Sequence, residues 1–233
     1  MKANLVTRSN FLAPLVLALL VLTGAACSTA PEKTTNANAA GSTGANAPAA
    51  SPATTANHNA GDMNDTSGMD HSMMRSSPNA ASQPYDLQFI DTMVAHHQGA
   101  VEMASAAETK ARHAELKEFA RKIVNDQERE IAEMRRLRRQ WYAGTPLALN
   151  MEMPGMMDSM GGMDMNRMNA ATGNDFDLMF IDMMTPHHTG AVVMSREALT
   201  KAEHPEIKQL AQQIITAQER EIAQMQKWKE AWR

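Results

Sequence analysis

One cysteine in 233 residues, Cys27, excludes an intrachain disulfide and any metal site built from several thiolates. Aromatic residues are also few, at five Phe, three Trp and two Tyr. Positive charge is not in excess. The net charge is −4 with His neutral, which gives no electrostatic footprint for nucleic acid. The one continuous apolar run, Phe11–Leu22, is too short to cross a bilayer as a mature helix. No glycine-rich phosphate loop and no linked nucleophile, base and orienting acid can be traced, so no catalysis is expected. What the chain has instead is 21 methionines.

Lys2 and Arg8 precede the apolar run, so Met1–Ala26 reads as an export signal. Loss of those two charges leaves the remainder at −6. Cys27 follows Gly24-Ala25-Ala26, as at a lipoprotein cleavage site, although Gly24 stands where Leu is usual. Lipidation of Cys27 is expected, with simple cleavage near Ala26 or Ala30 as the rival. A lipid there would be the only link to a membrane. Residues 27–84 are rich in Ala, Asn, Thr, Ser, Gly and Pro without a helical period, and are expected to form a disordered tether. Such a tether reaches about 40 Å. Met63, Met69, His71, Met73 and Met74 cluster near its end.

Asp86–Trp141 aligns without a gap onto Asp177–Trp232, an offset of 91 with about half the positions identical. The chain therefore carries a tandem duplication, residues 85–142 and 176–233, around a connector, 143–175. In each copy, apolar residues recur at three- and four-residue steps in two blocks, which predicts two helices. Phe89, Met93, His96, Ala100 and Met103 form one stripe; Leu116, Phe119, Ile123, Gln127 and Met134 form the next. The second block starts near His113 and His204, where Pro205 suits a first helical position. Gly99 and Gly190 fall inside the first helices at about 1 kcal/mol each against Ala, a cost that close approach of another segment would offset. A helix pair buries its stripe on one side only. Two pairs packed together bury both, which predicts an all-α four-helix bundle with a pseudo-two-fold axis.

The connector holds Met151, Met153, Met156, Met157, Met160, Met163, Met165 and Met168 among Gly and Asp. It reads as a flexible loop. Sulfurs so placed, with those of 63–74, are expected to capture Cu(I) weakly at several sites.

The chemistry centres on Met93–Met103 and its copy Met184–Met194, each with two adjacent imidazoles. Imidazole suits borderline metals, and neutral thioether favours Cu(I). The candidate ligands are His96, His97, Met93, Met103 and Met134, with His187, His188, Met184, Met194 and Met225. His96 and His187 lie centrally on the stripe and outrank His97 and His188. His113 and His204 are ligands or helix-start groups, and Met134 and Met225 are ligands or core filler. Asp91, Asp182, Gln127, Gln218, Glu130 and Glu221 are expected to orient ligands. Whether each repeat holds its own site or the two share one stays open at this point.

The repeated Phe-Ile-Asp-x-Met-x-x-His-His-x-Gly-Ala-x-x-Met, followed by His-(Ala/Pro)-Glu-(Leu/Ile)-Lys and Gln-Glu-Arg-Glu-Ile-Ala-x-Met, resembles the exported bacterial family called domain of unknown function 305. That resemblance implies a ferritin-like bundle and, for some members, periplasmic copper binding linked to copper resistance. The expected function is thus a cell-envelope protein that buffers or delivers Cu(I), with other envelope copper proteins as partners. A di-iron or di-manganese oxidase of the same bundle type needs Glu-x-x-His on two helices. Met93 and Met184 occupy that Glu position before His96 and His187. The third reading is a metal-free interaction module.

Overall fold

The computed structural model describes residues 75–161 and 163–233. The export signal, Cys27, and Met63, Met69, His71, Met73 and Met74 lie outside the described residues. Six α-helices follow a 3-10 turn at Ala80–Ser82: α1 (Tyr85–Lys110), α2 (Ala114–Trp141), α3 (Met156–Met160), α4 (Met165–Ala170), α5 (Gly173–Lys201) and α6 (Pro205–Ala231). No strand occurs among the described residues. The fold is a ferritin-like four-helix bundle: α1 and α2 form one hairpin, α5 and α6 the other, and α1 packs on α5.

The two kinds of helix follow from composition. In α2 the buried residues Leu116, Ala120, Ile123, Gln127, Ile131, Met134 and Leu137 keep helical spacing, and Lys and Arg take the wet face. The start of α1 is different, because Asp86 to Val94 is buried without interruption. Its apolar side chains pack inside, its polar ones (Asp86, Gln88, Asp91 and Thr92) are hydrogen-bonded, and α1 is covered by α2, α5 and the connector. In α5, Pro186 has no N–H for the carbonyl of Asp182, so one rung of the helix ladder is missing just before His187.

Asp86 and Asp177 lock the hairpins together reciprocally. Asp86 accepts from the backbone N–H of Glu203 (3.0 Å) and His204 (2.9 Å) at the start of α6, and from His204 Nδ1 at 2.6 Å. Asp177 accepts from Arg112 N and His113 N, both 2.9 Å, and from His113 Nδ1 at 2.6 Å. Each carboxylate caps orphan donors of a helix in the other repeat. The His204 ring stacks on Trp141 at 3.8 Å, and the His113 ring on Trp232 at 3.9 Å.

The connector is not the flexible loop its composition suggested. It folds into α3 and α4, and Met151, Met153, Met156 and Met168 are buried, Met156 and Met168 completely. Met160, Met163 and Met165 pack partly against the core, and only Met157 projects, 64% exposed. Most of this segment is thus not an open methionine run, and its buried sulfurs have a packing role. Gly190 allows the fold: a Cβ there would meet Ser159 Cβ at 2.3 Å and the Gly155 carbonyl at 2.4 Å. Gly155 itself has φ +87°, a left-handed conformation that glycine adopts freely. The end of the expected tether is ordered too. Ser77 N donates to Leu149 O at 2.8 Å, and Met151 N to Ser76 Oγ at 3.0 Å.

Candidate metal centre

α1 and α5 cross at their histidine pairs. His96 and His187 face one another with ring centroids 3.7 Å apart and planes inclined by 33°. Both are buried, as are His97 and His188. The His96–His97 and His187–His188 centroids are 6.2 and 6.4 Å apart, so the pseudo-two-fold is kept through all four rings.

His97 and His188, off-centre on the stripe and read as either surface groups or groups that support the ligands, are not surface groups. Both are 0% exposed, because α1 and α5 are covered on more than one side. Each meets a carboxylate of its own hairpin: His97 Nε2 lies 2.7 Å from Glu130 Oε2, and His188 Nε2 lies 2.9 Å from Glu221 Oε2. Burial pushes the Glu221 carboxyl upward, but its hydrogen bond and charge interaction with His188, and then Lys122, outweigh this and hold it below the usual carboxylate range. An ionised Glu221 accepts the Nε2–H. Carboxylates placed in this way orient metal-binding histidines, because a proton held at Nε2 directs Nδ1 of the neutral ring to a metal. Nδ1 of His97 and of His188 has no hydrogen-bond partner among the described residues. Neither do the buried amides of Gln127 and Gln218, nor Ser195 Oγ.

Six completely buried thioethers lie in the two core clusters of the bundle. Met93, Met134 and Met194 belong to one core cluster; Met184, Met225 and Met103 belong to the other. Each set takes two sulfurs from one repeat and one from its copy. Among the described residues, no three His, Cys, Asp or Glu side chains converge as a ligand set. A metal held here would rely on imidazole and thioether together, the chemistry that suits a soft ion.

Two expectations, on Asp91 and Asp182, are corrected by position, and for His113 and His204 the helix-start alternative is the one seen. His113 and His204 are the corner groups bound by Asp177 and Asp86. Glu130, beside His97, lies about 25 Å further along α2 than His113, at 1.5 Å per residue. Asp91 orients no histidine: it binds Arg138 Nε at 2.6 Å and the connector amide of Ala148 at 2.8 Å. Asp182 is 53% exposed and pairs with Lys229 at 2.5 Å. The carboxylates that do meet histidines are Glu130, Glu221, Asp86 and Asp177. The last two were missed as partners, although an acid opens the first helix of both copies.

Fold and interior together define a class: a duplicated hairpin closed into a ferritin-like bundle, with a histidine and methionine interior. The chain belongs to the DUF305 family (domain of unknown function), which it matches over residues 29–138 and 86–229. CopM in its Cu(I)-bound form is 40% identical, with TM-score 0.54, over 63% of this chain and 96% of that one. CopM has also been solved with Cu(II) and with Ag bound. A DUF305 protein of Streptomyces coelicolor is 25% identical, with TM-score 0.53, over 64% of this chain and 91% of that one. Uncharacterized protein L153 of Acanthamoeba polyphaga mimivirus is 41% identical over 49 residues, 21% of this chain and 32% of that protein. The chain thus spans about a third of the length of this curated relative. No helix among the described residues is long and apolar enough to cross a membrane.

Proposed function

We propose that this chain is an exported copper-binding protein of the cell envelope that holds Cu(I) in the bundle interior and serves in copper buffering, delivery or resistance. The observation that carries the reading is the buried His96–His187 pair at the crossing of α1 and α5, in a core whose two clusters each take buried thioethers from both repeats. The likeness to CopM in its Cu(I)-bound form supports it. His96, His187, and the Nδ1 atoms of His97 and His188 would supply nitrogen, and Met93, Met103, Met184 and Met194 sulfur. Glu130 and Glu221 orient imidazoles, and Met134 and Met225 complete the sulfur lining. Bound here, copper would be cargo, shielded from water and oxidants by the core. Export by the N-terminal signal, a lipid at Cys27 and exchange with other envelope copper proteins complete the proposal.

A di-iron or di-manganese oxidase is disfavoured by Met93 and Met184 at the required Glu positions. The test is anaerobic titration of the mature protein with Cu(I) against a chromophoric chelator. The comparison is a variant with His96, His97, His187 and His188 replaced by Ala, its fold checked by circular dichroism. Loss of tight binding in the variant is expected; unchanged affinity and stoichiometry would sink the reading. Tight Fe(II) binding with oxygen consumption would restore the oxidase.

A further inference from the structure

The duplication makes its own departures visible. On α1, Gln88, Asp91 and Thr92 face the connector and are used by it. Asn150 Nδ2 donates to Gln88 at 2.8 Å, Asn150 N to Thr92 Oγ1 at 2.9 Å, and Ala148 N to Asp91 at 2.8 Å. The connector covers that face. The equivalent positions on α5 are Met179, Asp182 and Met183. There the face is open: a cavity of about 710 Å³ lies between α4 and the first half of α5, lined by Asp164, Arg167, Asp175, Met179, Asp182 and Met183 among others. Two hydrogen-bonding side chains in one copy are thus two thioethers in the other, at a place where the pseudo-symmetry leaves a groove.

We propose that this groove is an outer binding site for a soft monovalent metal ion, held by the thioethers of Met179 and Met183. It would pass the ion inward to the buried centre. The two sulfurs are one helical turn apart and can share a face of α5, and thioether pairs select Cu(I)-like ions. The rim carries three carboxylates against Arg167, with Lys229 paired to Asp182, so a cation meets net negative charge. Asp164 also accepts from Arg167 N at 2.8 Å at the start of α4. Inward continuity comes from Met183, only 6% exposed, which belongs to the same cluster as Met168, Met184, Met225 and Met103. Met184 is one turn before His187 and His188. The inward step rests on the reading of the buried centre given above; the outer site stands without it.

Wild type, a Met179→Leu/Met183→Leu variant and the four-histidine variant are titrated with Cu(I) against a chelator, and their loading is followed by stopped flow. Leu keeps the volume of Met, so packing is preserved. The Leu pair is expected to lose one equivalent and to load the remainder about tenfold more slowly. The four-histidine variant is expected to keep the equivalent at the groove. If the Leu pair matches wild type in both stoichiometry and rate, the groove proposal is overturned. If the histidine variant loses nothing while the Leu pair loses one equivalent, the buried centre fails and the groove stands. A second measurement needs no variant: Ag(I) should protect Met179 and Met183 of wild type from peroxide oxidation, read by mass spectrometry. Absence of protection also overturns the proposal.

Discussion

His96 of the first repeat lies face to face with His187 of the second, 3.7 Å between ring centroids, across the axis that relates the two hairpins. Two imidazoles this close are coupled in packing. A metal that engages one displaces or recruits the other, so a single shared site on the axis is expected. His96→Ala and His187→Ala should weaken Cu(I) binding by the same factor, and the double variant should lose little more, because coupled residues are not additive. Glu130→Gln, which leaves a ligand present but poorly oriented, should cost about 10- to 100-fold. Competitive titration decides: additive losses, or a second undisturbed equivalent in each single variant, would indicate one site per repeat.

The duplication, the hairpin boundaries at His113 and His204, and the stripe of α2 are properties of local sequence, so they can be read from it. What could not be read depends on contacts distant in the chain. A single buried stripe on α1 places His97 below His96, whereas α1 is covered by α2, α5 and the connector. The connector has no helical period because its methionines are buried by two short helices and irregular backbone. That burial requires Gly155 and Gly190 to meet, thirty-five residues apart. Asp91 follows the same rule: its partners, Arg138 and Ala148, lie beyond the reach of any local pattern.

Gly190 offers a direct test of the connector. In a free helix Gly190→Ala would gain about 1 kcal/mol. Here the new Cβ would stand 2.4 Å from the Gly155 carbonyl, which is backbone and cannot swing aside. Overpacking of this kind costs about 1–3 kcal/mol, so steric strain wins. Urea denaturation should show net destabilisation, and hydrogen exchange should rise over residues 150–161 while α4 is unaffected. A stabilised variant would mean that α3 sits less closely on α5.

The reciprocal clasps make a symmetric prediction. Asp86→Ala leaves Glu203 N, His204 N and His204 Nδ1 without their acceptor, and Asp177→Ala does the same to Arg112 and His113. A lost cap costs about 0.5–2 kcal/mol, and a charged hydrogen bond adds about 1.5–3. Each variant should therefore lose about 2–5 kcal/mol by chemical denaturation. The clasps sit at separate corners and share no partner, so the double variant should show the sum. A marked departure from additivity would show that the hairpins come apart as one step once either clasp is lost.

Tyr85 contributes to stability at alkaline pH. Burial raises its phenol well above the ordinary value, and Glu197, which accepts the phenol hydrogen bond at 3.1 Å, raises it further, as does Asp86. The folded state therefore holds the proton more tightly than the unfolded chain. Its contribution is complete below the unfolded value, about pH 10, and is lost as pH rises beyond it. Tyr85→Phe removes the titrating proton and the hydrogen bond together. It should be less stable than wild type at pH 8, and the gap should narrow above pH 10 as wild type loses its advantage. Lysines titrate in the same range in both proteins, so the difference between the two urea curves isolates the phenol. A gap that stays constant from pH 8 to pH 11 would mean that Tyr85 ionises as freely in the bundle as in water.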